Sequence, residues 1–406
     1  MNNTQNQNNT RIDTVDALRG FALVGIVFAH TLAHYISGPR WEPWVEPTQV
    51  DVWIIWFKYT LVSSKFFSLF SFLFGMSFSI MMESAARRGL DFTKRFYWRI
   101  AILFVIGLFH AFIFKGDVVA NYAILGCLLP FFYRLSNRTL CLMMAALFLG
   151  AGRFIYFTFF GSESLYSFDI SFDEIKQSYT WVLMEGSILD VGLHNWKYSI
   201  LWGDLNFQFS SYGRAYMTLG YFIAGLLVVR LGVAQNLDQY MPVIKRVCIA
   251  TLCLAVPLYF LTVQGIEIRG GRSAYNSYLD VFWFNFWDMF NACVTFFYAS
   301  GFTLLYLKFS KGILGYLAAY GRTALTSYIT QSIIGAFIFY NWGLGYVSEM
   351  PNWKAFLVAI AIIVFQVYLA NLWLKHFRFG PVEWLWRCLT WTKFIANRKS
   401  SETSTR

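Results

Sequence analysis

Long apolar runs fill this chain, and short polar stretches separate them. A helix needs about 20 mostly apolar residues to cross a bilayer. Ten segments fit that requirement or approach it: Ala17–Ile36, Phe66–Met82, Ile100–Phe114, Val118–Tyr133, Leu140–Phe160, Tyr212–Leu231, Val247–Val263, Phe282–Leu307, Ile313–Trp342 and Ala355–Leu374. The second has an apolar lead-in from Trp53. The fourth is short and follows its neighbour after only Lys115, Gly116 and Asp117, which predicts a tight helical hairpin. The pattern as a whole predicts an all-α, polytopic transmembrane helical bundle of about ten spans.

Composition sharpens this picture. Apolar residues make up 57% and charged residues 14%, against roughly 45–50% and about 25% in soluble domains. That excludes a soluble enzyme, a disordered protein and a disulfide scaffold. The net charge of +11 is read as loop charge rather than as a nucleic-acid surface. Basic residues fall in alternate connections: Arg87 to Arg99, Arg134 and Arg138, Lys245 and Arg246, Lys308 and Lys311, and the C-terminal tail. Basic loops stay on the cytoplasmic side, so both termini are expected there.

Residues 1–10 are polar and expected to be disordered. Residues 11–392 read as a single transmembrane domain with an outer loop at 161–211, and 393–406 as a polar cytoplasmic tail. The start lacks the features of a cleavable signal, so the first apolar helix is expected to act as its own insertion signal. The outer loop is acidic and aromatic, which fits a lid, an interfacial helix or a solvated connector. No internal repeat is visible. The six cysteines form no C-x-x-C pair and read as packing thiols, and no metal is expected.

The first span carries the most informative chemistry. Asp16 and Arg19 are three apart and share a helix face. His30 lies eleven residues beyond Arg19, about 16 Å along the axis and close to three full turns round. A guanidinium at the cytoplasmic mouth and an imidazole deeper on the same face suit acyl-CoA, a phosphate-rich head on a long arm. Arginine grips phosphate oxygens, and a neutral imidazole takes a proton from an attacking hydroxyl or amine. The competing reading is a helix-start salt bridge, with His30 and His34 bonded to neighbouring helices.

The stretch Asp16-Ala-Leu-Arg19-Gly20 with His30 resembles the first-helix signature of the acyltransferase-three family. It is also similar to the first helix of the heparan-glucosaminide acetyltransferase family, where Asn usually stands in place of His30. Both resemblances imply acyl transfer from a cytosolic acyl-CoA. A longer resemblance is to the YeiB-like bacterial inner-membrane family, which carries a C-terminal domain of unknown function. It rests on Leu69 to Gly75, Gly116-Asp117, Tyr122 to Gly126, Gly321 to Tyr328 with Gln331-Ser332, and Phe379 to Arg387. His30 departs from the Asn usual in that family.

Other polar groups complete the candidate list. Asp117 can orient either His110 or His30 as a third catalytic group. Arg322 and Arg99 can join Arg19 in a phosphate cradle, with pairing to Asp16 or Glu383, or to lipid phosphate, as the competing readings. Asp288, flanked by Asn285 and Asn291, and Gln331 are candidate acceptor-binding residues. Gly270-Gly271-Arg272 follows no strand and carries no phosphate-loop reading. The reading is therefore a membrane acyltransferase using acyl-CoA, acetyl-CoA most simply, as co-substrate. A transporter or flippase is the alternative. Expected partners are membrane lipid, acyl-CoA and an acceptor of unknown identity, but not nucleic acid, and a homo-oligomer is compatible with the sequence.

Overall fold

The computed structural model describes residues 2–35, 47–161, 172–198, 208, 213–268, 277–310, 312–347 and 349–399. Gly270-Gly271-Arg272 and parts of the 161–211 loop lie outside them. Among the described residues the fold is helical, with a single isolated antiparallel bridge between Phe377 and Arg398. Lipid offers no hydrogen bonds, so an apolar chain must satisfy its backbone internally, and helices do so.

The order is α1 (Asn2–Ala29), α2 (Gln49–Phe57), α3 (Lys65–Ala86), α4 (Thr93–Ile113), α5 (Val119–Gly126), α6 (Leu129–Arg134), α7 (Asn137–Phe148) and α8 (Ala151–Phe160). There follow α9 (Phe172–Glu185), α10 (Ile188–Tyr198), α11 (Ala215–Arg230), α12 (Leu237–Ile268), α13 (Tyr278–Phe309), α14 (Ile313–Arg322), α15 (Ala324–Phe339), α16 (Asn352–His376) and α17 (Pro381–Trp391). Among the described residues six helical stretches are long and apolar enough to cross a membrane, or seven if the bent pair α7–α8 counts as one span. The chain therefore has the architecture of a multi-pass membrane bundle.

Several expected spans are broken, each at an identifiable place. The segment Leu140–Phe160 bends by 61° between α7 and α8, at Gly150 with φ +88°. Val118–Tyr133 divides into the short helices α5 and α6. Ile313–Trp342 divides at Thr323 into α14 and α15. A π-turn at His30–His34 ends α1, and another at Lys58–Val62 joins α2 to the break before α3. Broken helices at membrane depth are tolerated where protein or a cavity surrounds them.

Three close pairings organise the bundle: α1 against α14, α3 against α11, and α12 against α13. A Cβ added at Gly75 would lie 2.1 Å from the Phe222 carbonyl oxygen, and one at Gly225 2.0 Å from that of Phe72. The α3–α11 contact is thus backbone to backbone, the use membranes make of small residues. In the 161–211 segment, α9 and α10 pack on each other, and α10 packs on α4. Asn195 Nδ2 donates to Phe112 O at 3.1 Å and Trp196 Nε1 to Leu108 O at 2.9 Å. This part of the segment is a docked helical hairpin.

Candidate functional site

The site begins where α1 meets α14. A Cβ at Gly321 would fall 1.7 Å from the Asp16 carbonyl oxygen, and one at Gly20 2.1 Å from that of Leu317. Only glycine permits this approach. The neighbouring residues Arg19 and Arg322 are thereby brought to one cavity, and the chain adds Arg99 from α4. The cavity holds about 380 Å³ and is otherwise lined mostly by apolar residues of α1, α3, α4 and α5. The three arginines expected to share a cradle do line one space.

Each arginine is held differently. Arg19 pairs with Asp16 and donates through Nη2 to Ser77 Oγ at 2.8 Å. The guanidinium of Arg99 lies 3.5 Å from the centre of the Trp386 ring on α17, and Trp386 Nε1 donates to Arg99 O at 2.9 Å. The Nε of Arg99 is buried without a hydrogen-bond partner. Arg322 ends α14 and is exposed. The helix break at Thr323 follows it directly, and it lines the cavity. Among the described residues no ion pair joins it to Asp16 or Glu383.

Behind the cavity wall two histidines, His30 and His110, are buried, and neither lines the cavity. Tyr328 lines the cavity and stands between two imidazoles, 5.8 Å from the His30 ring and 4.8 Å from that of His110. Phe114 packs on both, at 4.5 Å and 6.0 Å. The Tyr328 hydroxyl accepts from Val118 N at 3.2 Å and lies 3.4 Å from Gly116 O. Gln331 Nε2 lies 3.4 Å from His30 Nδ1. An amide N–H donates, so that nitrogen accepts.

The choice left open for Asp117 is resolved by geometry. Its carboxylate lies 2.7 Å from His110 Nδ1, and both side chains are fully buried. It also accepts from Val119 N at 3.1 Å and Ala120 N at 2.8 Å, and so caps α5. A carboxylate only accepts, so Nδ1 of His110 donates to it, and in the neutral imidazole Nε2 is then the nitrogen with the lone pair. That Nε2 is buried and unbonded.

Asp288 takes a different place. It pairs with Arg153 of α8 at 2.5 Å and does not line the cavity. Gln331 and Asp288 are not brought together in one acceptor site. Sequence reasoning passed over Tyr328, Tyr122 and Trp386 as site residues, and treated Glu383 only as a counter-ion. Glu383 in fact holds the start of α15: its carboxylate accepts from Leu325 N at 2.5 Å, Thr326 N at 3.0 Å and Thr326 Oγ1 at 2.5 Å. Burial pushes this carboxyl above its usual range, against the lowering effect of those hydrogen bonds. The signal available in the sequence was an acidic residue in the first turn of an amphipathic helix just beyond the last span. Among the described residues no group of His, Cys, Asp and Glu is arranged to hold a metal.

Residues 11–183 match the catalytic domain of heparan-alpha-glucosaminide N-acetyltransferase, and residues 228–393 match DUF418, a protein family of unknown function. The cavity draws Arg19 and Arg99 from the first region and Arg322, Glu383 and Trp386 from the second. The uncharacterized protein YxaH of Bacillus subtilis is 28% identical, over 94% of this chain and 95% of its own. An uncharacterized protein of Bacillus acidopullulyticus is 26% identical over 94% of each chain. The uncharacterized protein YeiB of Escherichia coli is 26% identical over 93% of this chain and 95% of its own. The resemblance to the YeiB-like membrane proteins thus extends over nearly the whole chain, with a heparan-glucosaminide acetyltransferase-like first half and a DUF418 second half.

Proposed function

We propose that this protein is a membrane acyltransferase that takes an acyl group, acetyl most simply, from cytosolic acyl-CoA. The acceptor is a hydroxyl or amine presented from the membrane or the outer face. One observation carries the reading: three arginines line one cavity whose wall, Tyr328, touches both buried histidines. The acetyltransferase-like first half supports it. In this reading the ten apolar segments are spans, both termini face the cytoplasm, and the membrane is the bacterial inner membrane.

Arg19, Arg99 and Arg322 hold the phosphates of the coenzyme, and the apolar cavity takes its arm. His110, oriented by Asp117, is the general base. Its Nε2 takes the proton from the acceptor as the acceptor oxygen or nitrogen attacks the thioester carbonyl. The tetrahedral intermediate then collapses, the carbon–sulfur bond breaks, and the coenzyme thiolate takes up that proton. His30, held by Gln331, faces the other side of Tyr328 and positions the acceptor.

The test is a titration of purified protein in detergent with acetyl-CoA, with acetate and desulfo-coenzyme as controls. We expect saturable binding that Arg19→Ala weakens at least tenfold. No binding at millimolar concentration contradicts the proposal. Vesicle uptake of a solute driven by a pH gradient, without acyl-CoA, marks a transporter instead.

A further inference from the structure

A carboxylate inside a space lined by three arginines invites explanation. Glu383 lines the cavity with Arg19, Arg99 and Arg322, yet among the described residues no ion pair joins it to any of them. It is instead bound to the N-terminus of the sixteen-residue helix α15, through two backbone N–H groups and the Thr326 hydroxyl. Such a set of donors, at the positive end of a helix dipole, is the arrangement that binds phosphate. A second observation points to a ligand at the same place. Arg99 is partly buried and lines the same cavity as this helix start, and its Nε is buried with no hydrogen-bond partner.

We propose that the N-terminus of α15, with Arg99 and Arg322 beside it, is a phosphate subsite of the cavity, and that Glu383 is an internal stand-in which an incoming phosphate group displaces. This rests on reading the cavity as a coenzyme site. Glu383 is carried by α17, a separate element packed on α4 and α15. Its side chain can leave the α15 terminus by rotation without unwinding either helix. The donors it vacates then pass to the phosphate oxygens, and the two nearby guanidiniums, which do not pair with the carboxylate, neutralise the added charge. A purely structural cap predicts the opposite dependence, because its loss frays the site. The source of the phosphate is either a soluble coenzyme or a lipid headgroup, and the experiment separates them.

Full-length wild type and Glu383→Gln are reconstituted in nanodiscs of zwitterionic lipid and titrated with pyrophosphate and with coenzyme A. We expect Glu383→Gln to bind pyrophosphate at least tenfold more tightly than wild type, and Arg99→Ala in that background to abolish the gain. Equal or weaker binding by a Glu383→Gln protein that melts at the wild-type temperature overturns the subsite and leaves Glu383 a structural cap. If Glu383→Gln does not fold, Thr326→Ala serves: it should weaken pyrophosphate binding several-fold, and unchanged binding overturns the proposal. Adding phosphatidylglycerol to the discs assigns the subsite to lipid if it competes with pyrophosphate, and to a soluble phosphate if it does not. Tight pyrophosphate binding without acetyl-CoA turnover keeps the subsite and removes the transferase reading. Acetyl-CoA binding and turnover that ignore Glu383 do the reverse.

Discussion

At the scale of single residues, the account turns on two glycines and one ion pair. Gly20 and Gly321 let α1 and α14 touch through their backbones, with a Gly321 Cβ only 1.7 Å from Asp16 O. Gly321→Ala should destabilise the fold by about 1–3 kcal/mol through overpacking, read from thermal unfolding in detergent. It should also weaken acetyl-CoA binding, since it separates Arg19 from Arg322. His110→Ala should lower turnover by about 10²–10⁴-fold, the usual worth of a general base. Asp117→Asn should lower turnover too, and should cost about 1 kcal/mol of stability by weakening the α5 cap. Full turnover in His110→Ala moves the base to His30. Helical spacing predicts Arg19 and His30 on one face, but in the structure Arg19 lines the cavity while His30, in the π-turn that ends α1, does not. The sequence did not show which histidine Asp117 holds, since that depends on how α4 turns into α5. Nor did it show that His30 stands behind Tyr328, a partner 298 positions away.

At the scale of elements, the places where helices break matter more than the places where they run. The helical, membrane-type character was legible from apolar run length, but the count was not: ten apolar segments were expected and six or seven helical stretches among the described residues are long enough to span. The divisions at Gly150 and Thr323 were not legible either, because a run of apolar residues looks the same whether its helix is straight or bent. The break at Thr323 presents Arg322 and the α15 terminus to the cavity, and α17 supplies Glu383 to hold it. In the α9–α10 hairpin a histidine responds to pH. Burial first, then Lys115 and Lys197, lower the His194 imidazole from 6.5 to about 4. It is therefore neutral in the folded hairpin across the window in which the unfolded chain takes up a proton. The unfolded state binds more protons there, so docking of α9 and α10 should weaken as pH falls from about 6.5 to about 4. Amide exchange of residues 178–197 measures this. Exchange that is independent of pH after correction for intrinsic rates, or His194→Gln behaving as wild type, contradicts it.

At the scale of the whole molecule, two separately recognisable halves build one cavity between them. The acetyltransferase-like half brings Arg19, Arg99 and the His110–Asp117 pair, and the DUF418 half brings Arg322, Tyr328 and Trp386. Neither half holds the constellation alone, so each expressed separately should fail to bind acetyl-CoA even where it inserts. Composition made the membrane bundle plain, whereas the joining of the halves is a matter of helix packing that no linear pattern records. The most direct test is a cryo-EM map of the full chain with acetyl-CoA added. The account predicts coenzyme density with its phosphates among Arg19, Arg99 and Arg322 and its thioester end against Tyr328, facing His110. Density on the outer face, or an unchanged cavity at saturating acetyl-CoA, would contradict it.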